Sequence, residues 1–547
     1  MPDRREFLTK TTALAATSSA LGRLVHAGCQ GAQPADKTRD SMRMKPRRII
    51  WNNDGDDLWI VANGYPAPDW PNQYGSPQEY LARRTAAVKG TQVDCISYCG
   101  FAVVPNWEFP SDNTKLLGPD PLKHVVDFAH GNEMEFIYSL RMNDVHCAVY
   151  PGEYRWSPFK RKNLRLLQAN ISREEFEHRI WPWVRGEIDE HPLHHLLDYW
   201  GRKEGRLIDQ FRNSSLGPLA FSWPAFDFAH AEVRAHYLQI IDQACRRYDL
   251  DGIELDWGRH PLVFKFGQER RYVPVMNDFI HRVRQVLDER GKRRGRPILL
   301  ATRVPDVREL ALHVGLDVAT WVEKGWLDLL IAGFGSPFSM PIGDWVRLGH
   351  NHGIAVYGGL SWLPLFENIE AIRAAAYRFW EAGVDGVYLF NLLRPERFDC
   401  LDEIGDPELL ARRNKLYQVD PDRRYVGYMN LSRMAGQLPL EFTPEAGPAT
   451  MKLQLSIADQ PEGASRVTVQ TLWNNPDNGQ RREWRLNGRP LTDPRRFRSE
   501  HRDWTGFDTQ ALKNGANILE VTVHPLEAGL VPEPLVLEQV RVSIAYS

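Results

Sequence analysis

The chain has 547 residues, a formal net charge of -2, 43% hydrophobic residues and 25% charged residues. That length exceeds one ordinary core, so two folded domains behind an N-terminal targeting piece are expected. The near-neutral balance lacks the clustered positive charge that nucleic acid or an anionic membrane requires, and it fits a neutral partner.

The N-terminus, residues 1–27, reads as an export signal. Arg4-Arg5-Glu6-Phe7-Leu8-Thr9-Lys10 precedes a mildly apolar, Ala/Thr/Ser-rich stretch to Leu24, and Val25-His26-Ala27 offers a small-residue cleavage site. The stretch resembles a bacterial twin-arginine signal and implies a periplasmic or extracellular protein. It is too short and too weakly apolar for a lasting membrane span. Cys29 follows the cleavage site, but His26 stands where a lipoprotein signal carries a Leu-like side chain. Residues 28–45 are polar and aperiodic and read as a linker.

From residue 46 to 422 short β-rich runs alternate with helical patterns. Eight strands are predicted, at 48–51, 93–99, 135–140, 252–257, 298–303, 327–332, 354–359 and 386–391. Apolar spacing predicts helices at 230–247, 275–287 and 369–380 between them. This alternation fits an α/β fold of the (β/α)8 TIM-barrel class better than a doubly wound sheet, since no Gly-rich nucleotide turn occurs. No motif calls for a cofactor, and the six cysteines show neither zinc spacing nor a disulfide framework, which places them mostly in the core.

The third strand is followed by a long insertion, 143–224, with Trp156, Trp181, Trp183, Trp200 and Trp223. Insertions of this length at the C-terminal end of a barrel strand commonly wall a cleft. Flat aromatic faces suit sugar rings, so these side chains are expected to form subsites. Beyond residue 423 helical periodicity disappears. Alternating runs at 451–456, 467–472, 518–523 and 535–546, with turns at Asn487-Gly488 and Asn514-Gly515, predict an antiparallel β-sandwich over 423–547, expected chiefly to buttress the barrel.

The strongest chemical signal is Asp251-Gly252-Ile253-Glu254-Leu255-Asp256-Trp257. Residues two apart on a strand point the same way, so Glu254 and Asp256 face the barrel mouth while Ile253 and Leu255 pack outward. Two inward carboxyls are costly unless paired, liganded or used, and their repulsion raises one pKa. Around the same opening the sequence places Asp54 after strand one, with Asn52, Asn53, Asp56 and Asp57. It adds Arg141, Asp144 and His146 after strand three, Trp257 and His260 after strand four, Arg303 and Asp306 after strand five, Trp362 after strand seven, and Asn391 and Arg394 after strand eight.

The segments 223–229, 232–234, 248–257 and 259–261, with Ala301-Thr302-Arg303-Val304-Pro305, Gly315-Leu316-Asp317-Val318 and Trp321, resemble the barrel proteins called family-10-like glycosyl hydrolases. The resemblance runs along most of the barrel and implies glycan substrates. The fourth-strand motif is also similar to the D-G-x-D-x-D-W-E of family 18 chitinases, whose final Glu is the proton donor; here Gly258 stands in that place. In amylase-like and α-galactosidase-like barrels an Asp ending the fourth strand is the nucleophile, which Asp256 matches. Families with a Glu nucleophile ending strand seven would need an acid near Gly359, where this chain has Leu360-Ser361-Trp362.

The expected activity is therefore cleavage of glycosidic bonds in a carbohydrate. Asp256 would be nucleophile or stabilising carboxylate, and Glu254 or Asp144 the acid/base. The residues expected to contact substrate are Asp54, Arg141, His146, Trp257, His260, Arg303, Trp362 and Asn391. A metal-dependent hydrolase using His146, Asp144, Glu254 and Asp256, and a barrel that binds glycan at the cell envelope without turnover, stay open as alternatives.

Overall fold

The computed structural model describes residues 37–53, 55, 75–99, 117–118, 120–148, 152, 156–169, 171–189, 223–258, 261–265, 267–334, 337–360, 368–392, 395–419, 436–442, 447–477, 479–526 and 534–546. The export-signal expectation, Cys29, Asp54, Trp200, His260, Trp362 and Arg394 lie outside them, as does the side chain of His146.

Eight parallel strands close into a barrel: β1 (Ile49–Asn53), β2 (Val93–Cys99), β3 (Glu135–Arg141), β4 (Gly252–Asp256), β5 (Leu299–Val304), β6 (Leu329–Ala332), β7 (Ala355–Leu360) and β8 (Gly386–Phe390). β8 pairs with β1 to close the ring. Outward residues such as Ile253 and Leu255 are buried under the surrounding helices. Inward residues fill the barrel itself, among them Ile50, Cys95, Ile137, Leu299, Leu329, Ile331 and Tyr357. The two periods of a strand thus build two separate apolar layers.

A repeated device sets the register. Asp94, Asp251, Asp328 and Asp385, each at the start of an even-numbered strand, accept the backbone N–H of Arg48, Phe136, Leu300 and Val356 on the odd-numbered strand before it, at 2.7–2.8 Å. These N–H groups sit where the ladder begins, and the carboxylates satisfy them.

The N-terminal mouth of the barrel is plugged. Within the segment read as a linker, 28–45, Lys37–Arg43 forms a helix. Arg39 of that helix bonds Asp328 at 2.8 Å, and Met42 packs into the barrel interior. Arg47 is fully buried below the strands, with its guanidinium on the Glu135 carboxylate and on the Met42 carbonyl. A buried arginine held by a carboxylate and carbonyls makes a polar seal rather than a site.

The helices Ala231–Arg247 and Ile369–Glu381 stand within one residue of their predicted bounds. The third, Glu269–Arg294, is far longer than the predicted 275–287. Its last turns are polar and solvated, so they carry no apolar stripe, and Gly295 in the left-handed region ends it.

Among the described residues the C-terminal region holds ten further strands: β9 (Lys415–Val419), β10 (Leu440–Phe442), β11 (Ala449–Ile457), β12 (Arg466–Trp473), β13 (Arg482–Leu486), β14 (Arg489–Pro490), β15 (Arg495–Ser499), β16 (Arg502–Asp508), β17 (Gly515–Val523) and β18 (Leu535–Ala545). One antiparallel sheet runs β10-β18-β12-β16-β15, with β9 also on β18; the other runs β11-β17-β13-β14. They pack face to face, as the ring contact of Trp484 on β13 with Phe507 on β16 at 4.8 Å shows. At the junction with the barrel the buried Asp459 accepts from Lys415 Nζ at 2.8 Å and from the hydroxyls of Tyr417 and Tyr546. That lysine lies 4.5 Å from the ring centroid of Tyr377 on the helix Ile369–Glu381, so the sandwich is fastened to the barrel wall. No helix among the described residues is long and apolar enough to cross a membrane.

Candidate active site

The C-terminal mouth of the barrel is built around β4. Glu254 is fully buried, one layer below Asp256. Its carboxyl accepts from Ser97 Oγ at 2.6 Å, from Ser139 Oγ at 3.0 Å and from Tyr388 Oη at 2.9 and 3.0 Å. Ser97 in turn accepts from Asn52 Nδ2 at 3.3 Å. The partners come from β1, β2, β3 and β8, so only the closed barrel assembles them. Burial and the neighbouring Asp256 push Glu254 up to about 7, against the hydroxyl donors and Arg303, which favour the charged form.

Asp256 ends β4 beside Arg141 of β3 and Arg303 of β5, its direct register neighbours. Its Oδ1 accepts from the Gly258 N–H at 2.8 Å and from Arg303 Nη1 at 3.2 Å, while Oδ2 has no hydrogen-bond partner among the described residues. Arg303 is itself fixed: its guanidinium carbon lies 4.0 Å from the Phe390 ring centroid and 4.9 Å from that of Phe334. A planar guanidinium stacked between rings presents its charge in one direction. The site therefore holds one carboxylate by a fixed cation and a backbone donor, with a second, proton-carrying carboxyl beneath it.

Asp144 stands at the rim, about a quarter exposed, and accepts from Arg141 Nη1 at 2.8 Å. The loop that carries it is anchored by Asn143, which bonds the carbonyls of Phe226 and Leu262 and the N–H of Phe226. Asp306 is fully buried and caps the Phe334 N–H at 2.8 Å, which places the ring under Arg303.

No family model matches this sequence. Nor does any curated protein. Among solved structures the chain is similar to an Anoxybacillus alpha-amylase at 14% identity, over 90% of this chain and 99% of that one, with a TM-score of 0.36. It is similar to a maltogenic alpha-amylase from Thermotoga neapolitana at 10% identity, over 86% and 98%, with a TM-score of 0.32. It is also similar to a family 18 chitinase from Cycas revoluta at 10% identity, over 62% and 99%, with a TM-score of 0.33.

Of the sequence-predicted site residues, Glu254, Asp256, Arg141, Asp144 and Arg303 come together at one mouth. Trp257 does not: it is fully buried, donates to Thr302 Oγ1 at 3.1 Å and packs against Phe228 and Trp321 in the outer core. A residue following Asp256 on the strand points to the helices, so the alternation that brings Asp256 inward takes Trp257 outward. Asn391 closes the β8–β1 seam, its N–H on the Asn52 carbonyl at 3.1 Å and its φ at 55°. His146 lies on the short turn His146–Ala148 beyond β3.

The tryptophans of the insertion also differ from expectation. Trp156, Trp183 and Trp223 are buried, and Trp156 packs on Phe176 and Trp223 at 5.2 and 5.6 Å. Trp181 stacks on Phe176, and the Arg161 guanidinium lies over the Trp181 ring. They form the insertion's own small core instead of a row of subsites. Sequence reasoning missed Ser97, Ser139 and Tyr388, although each occupies an inward position on its predicted strand, two or four residues from other inward-facing groups.

Proposed function

We propose that this protein hydrolyses glycosidic bonds, with Asp256 as the carboxylate that attacks or stabilises the anomeric carbon. The observation that carries this reading is the divided state of Asp256: Oδ1 is bound by Arg303 and the Gly258 N–H, and Oδ2 is left for a substrate. A carboxylate fixed in direction by a guanidinium and a backbone N–H suits a developing oxocarbenium charge. Glu254 lies beneath it, fully enclosed by three hydroxyl donors, so it is not the group that reaches a leaving group. Asp144 is then the acid/base partner, since it keeps an exposed edge at the same mouth.

The family-10-like resemblance and the twin-arginine signal belong to the same proposal: an exported enzyme acting on glycans outside the cytoplasm. Incubation of the mature protein with polysaccharides and chromogenic glycosides, read as released reducing ends, tests the activity. Release that persists in the Asp256→Asn variant would remove Asp256 from its role. The anomer first released, followed by NMR, reports retention or inversion, and N-terminal sequencing of protein recovered from the periplasm tests the cleavage after Ala27.

A further inference from the structure

On β12 the side chains of Val467, Val469 and Thr471 turn inward and are buried, so Arg466, Thr468 and Gln470 turn to the outer face of the sheet. Register sets Asp508 of β16 on one side of Thr468 and Ser543 of β18 on the other, and Gly506 of β16 between Gln470 and Arg495 of β15. With Phe497 of β15 these residues line a cavity of about 460 Å³.

Two components of that cavity exceed what the sheet needs. The first is an aromatic ring. A Cβ on Gly506 would stand 3.0 Å from Phe497 Cε1, so the bare glycine lets the ring approach β16 closely. Covering a strand glycine with a cross-strand aromatic stabilises a sheet, which accounts for the edge of the ring that touches Gly506. The remainder does no such work, and Phe497 stays 36% exposed.

The second component is a fixed set of polar groups. Asp508 Oδ1 accepts from Arg466 Nε and Thr468 Oγ1, each at 2.9 Å, and Oδ2 accepts from Arg495 Nη2. The carboxylate thus holds two exposed guanidiniums while using one nitrogen of each, and their other N–H groups have no partner among the described residues. The Gln470 amide and the Ser543 hydroxyl likewise bond nothing among the described residues, and their polar atoms reach solvent. Charge here is largely answered within the protein, by Asp508 for Arg466 and Arg495 and by Asp477 for the adjacent Arg496. What remains on offer is a ring and an array of hydrogen bonds.

We propose that this face of the sandwich binds a neutral glycan chain, with one sugar ring on Phe497 and its hydroxyls on the Asp508–arginine array and Gln470. A hydroxyl donates and accepts at once, so neighbouring hydroxyls on a sugar match the planar forks of a carboxylate and a guanidinium, while the apolar face of the ring covers the exposed aromatic. The volume lies within the roughly 300–1,000 Å³ of ligand sites. The proposal shares only its ligand class with the reading of the barrel. Binding is measured directly in a protein without Asp256, so either can fail alone.

The test is native electrophoresis of the full-length Asp256→Asn protein in gels containing soluble starch, hydroxyethylcellulose, glucomannan, arabinoxylan or glycol chitin, with alginate and polygalacturonate alongside. At least one neutral polysaccharide is expected to retard the protein, and more strongly than either anionic one. Phe497→Ala weakens that affinity at least about tenfold, the scale of one aromatic side chain returned to water. Gln470→Ala weakens it about threefold, as for one lost hydrogen bond, and removes no bond from the fold. Arg498→Ala, the next residue on β15 and turned the opposite way, leaves it within about twofold. Circular dichroism checks that each variant is folded. Retardation by none of the neutral polysaccharides, stronger retardation by an anionic one, or retardation that survives both Phe497→Ala and Gln470→Ala overturns the proposal.

Discussion

The buried Glu254 makes stability depend on pH in a direction that can be worked out. Burial and Asp256 raise it from its ordinary 4.5 to about 7. Between those values the folded protein keeps a proton that the unfolded chain has already released. The stability contributed by Glu254 is therefore fully present below about pH 4.5, falls as pH rises, and is level again above about pH 7. At about 1.4 kcal/mol per pH unit, that window removes about 3 kcal/mol. Glu254→Gln stays neutral throughout and keeps an acceptor for Ser97, Ser139 and Tyr388. With an unfolding entropy of about 2 cal/mol/K per residue over 547 residues, 3 kcal/mol corresponds to about 3 °C in Tm. The variant's Tm relative to wild type is thus expected to rise by about 3 °C between pH 4.5 and pH 7.5, followed by scanning fluorimetry in matched buffers. Titrations of groups remote from Glu254 are common to both proteins and cancel. A Tm difference that does not change with pH would refute the raised pKa and, with it, the view of Glu254 as a carboxyl that stays protonated below pH 7.

If Asp256 reacts as proposed, Asp256→Asn is expected to lower kcat at least about 1,000-fold while circular dichroism shows the fold retained, the pattern of a lost reacting group. Asp459→Ala strips the common partner from Lys415, Tyr417 and Tyr546 and leaves a buried ammonium; a loss of about 3–5 kcal/mol is expected, seen as a lower Tm. Gly258→Ala puts a methyl 2.3 Å from the Phe334 ring and is expected to cost about 1–3 kcal/mol by overpacking, measured by the same melt; adding Phe334→Ala removes that clash.

Much of the barrel was legible because strand periodicity and helix periodicity alternate plainly. Each predicted strand lies within about two residues of the observed one, as 327–332 against Leu329–Ala332 illustrates. The four register-setting aspartates were legible in principle: Val93-Asp94, Leu250-Asp251, Leu327-Asp328 and Val384-Asp385 all place an acid after an apolar residue at a strand start. Read singly, each is an ordinary polar residue in a loop. Their meaning lies in the pairing of odd and even strands, which no local window contains. The tryptophans failed for a different reason. An indole face packs equally well on a sugar or on Phe176, and composition does not say which of the two is present.

The site divides along the same line. Glu254 and Asp256 follow from period-two alternation within one strand, whereas the hydroxyls that hold Glu254 come from three other strands and meet it only on closure. Gly258 shows how structure turns a sequence departure into a cause. A Cβ at this position would stand 2.3 Å from Phe334, a buried ring that Arg303 lies against and whose backbone Asp306 fixes. The room a side chain at 258 would need is thus taken by the ring that Arg303, the cation on Asp256, lies against. A proton donor at 258 and an Arg303 stacked on Phe334 are alternatives for one space, and this chain has the second. Placing glutamate at that position alone therefore displaces Phe334, so Gly258→Glu is expected to lose both stability and any activity that depends on Asp256.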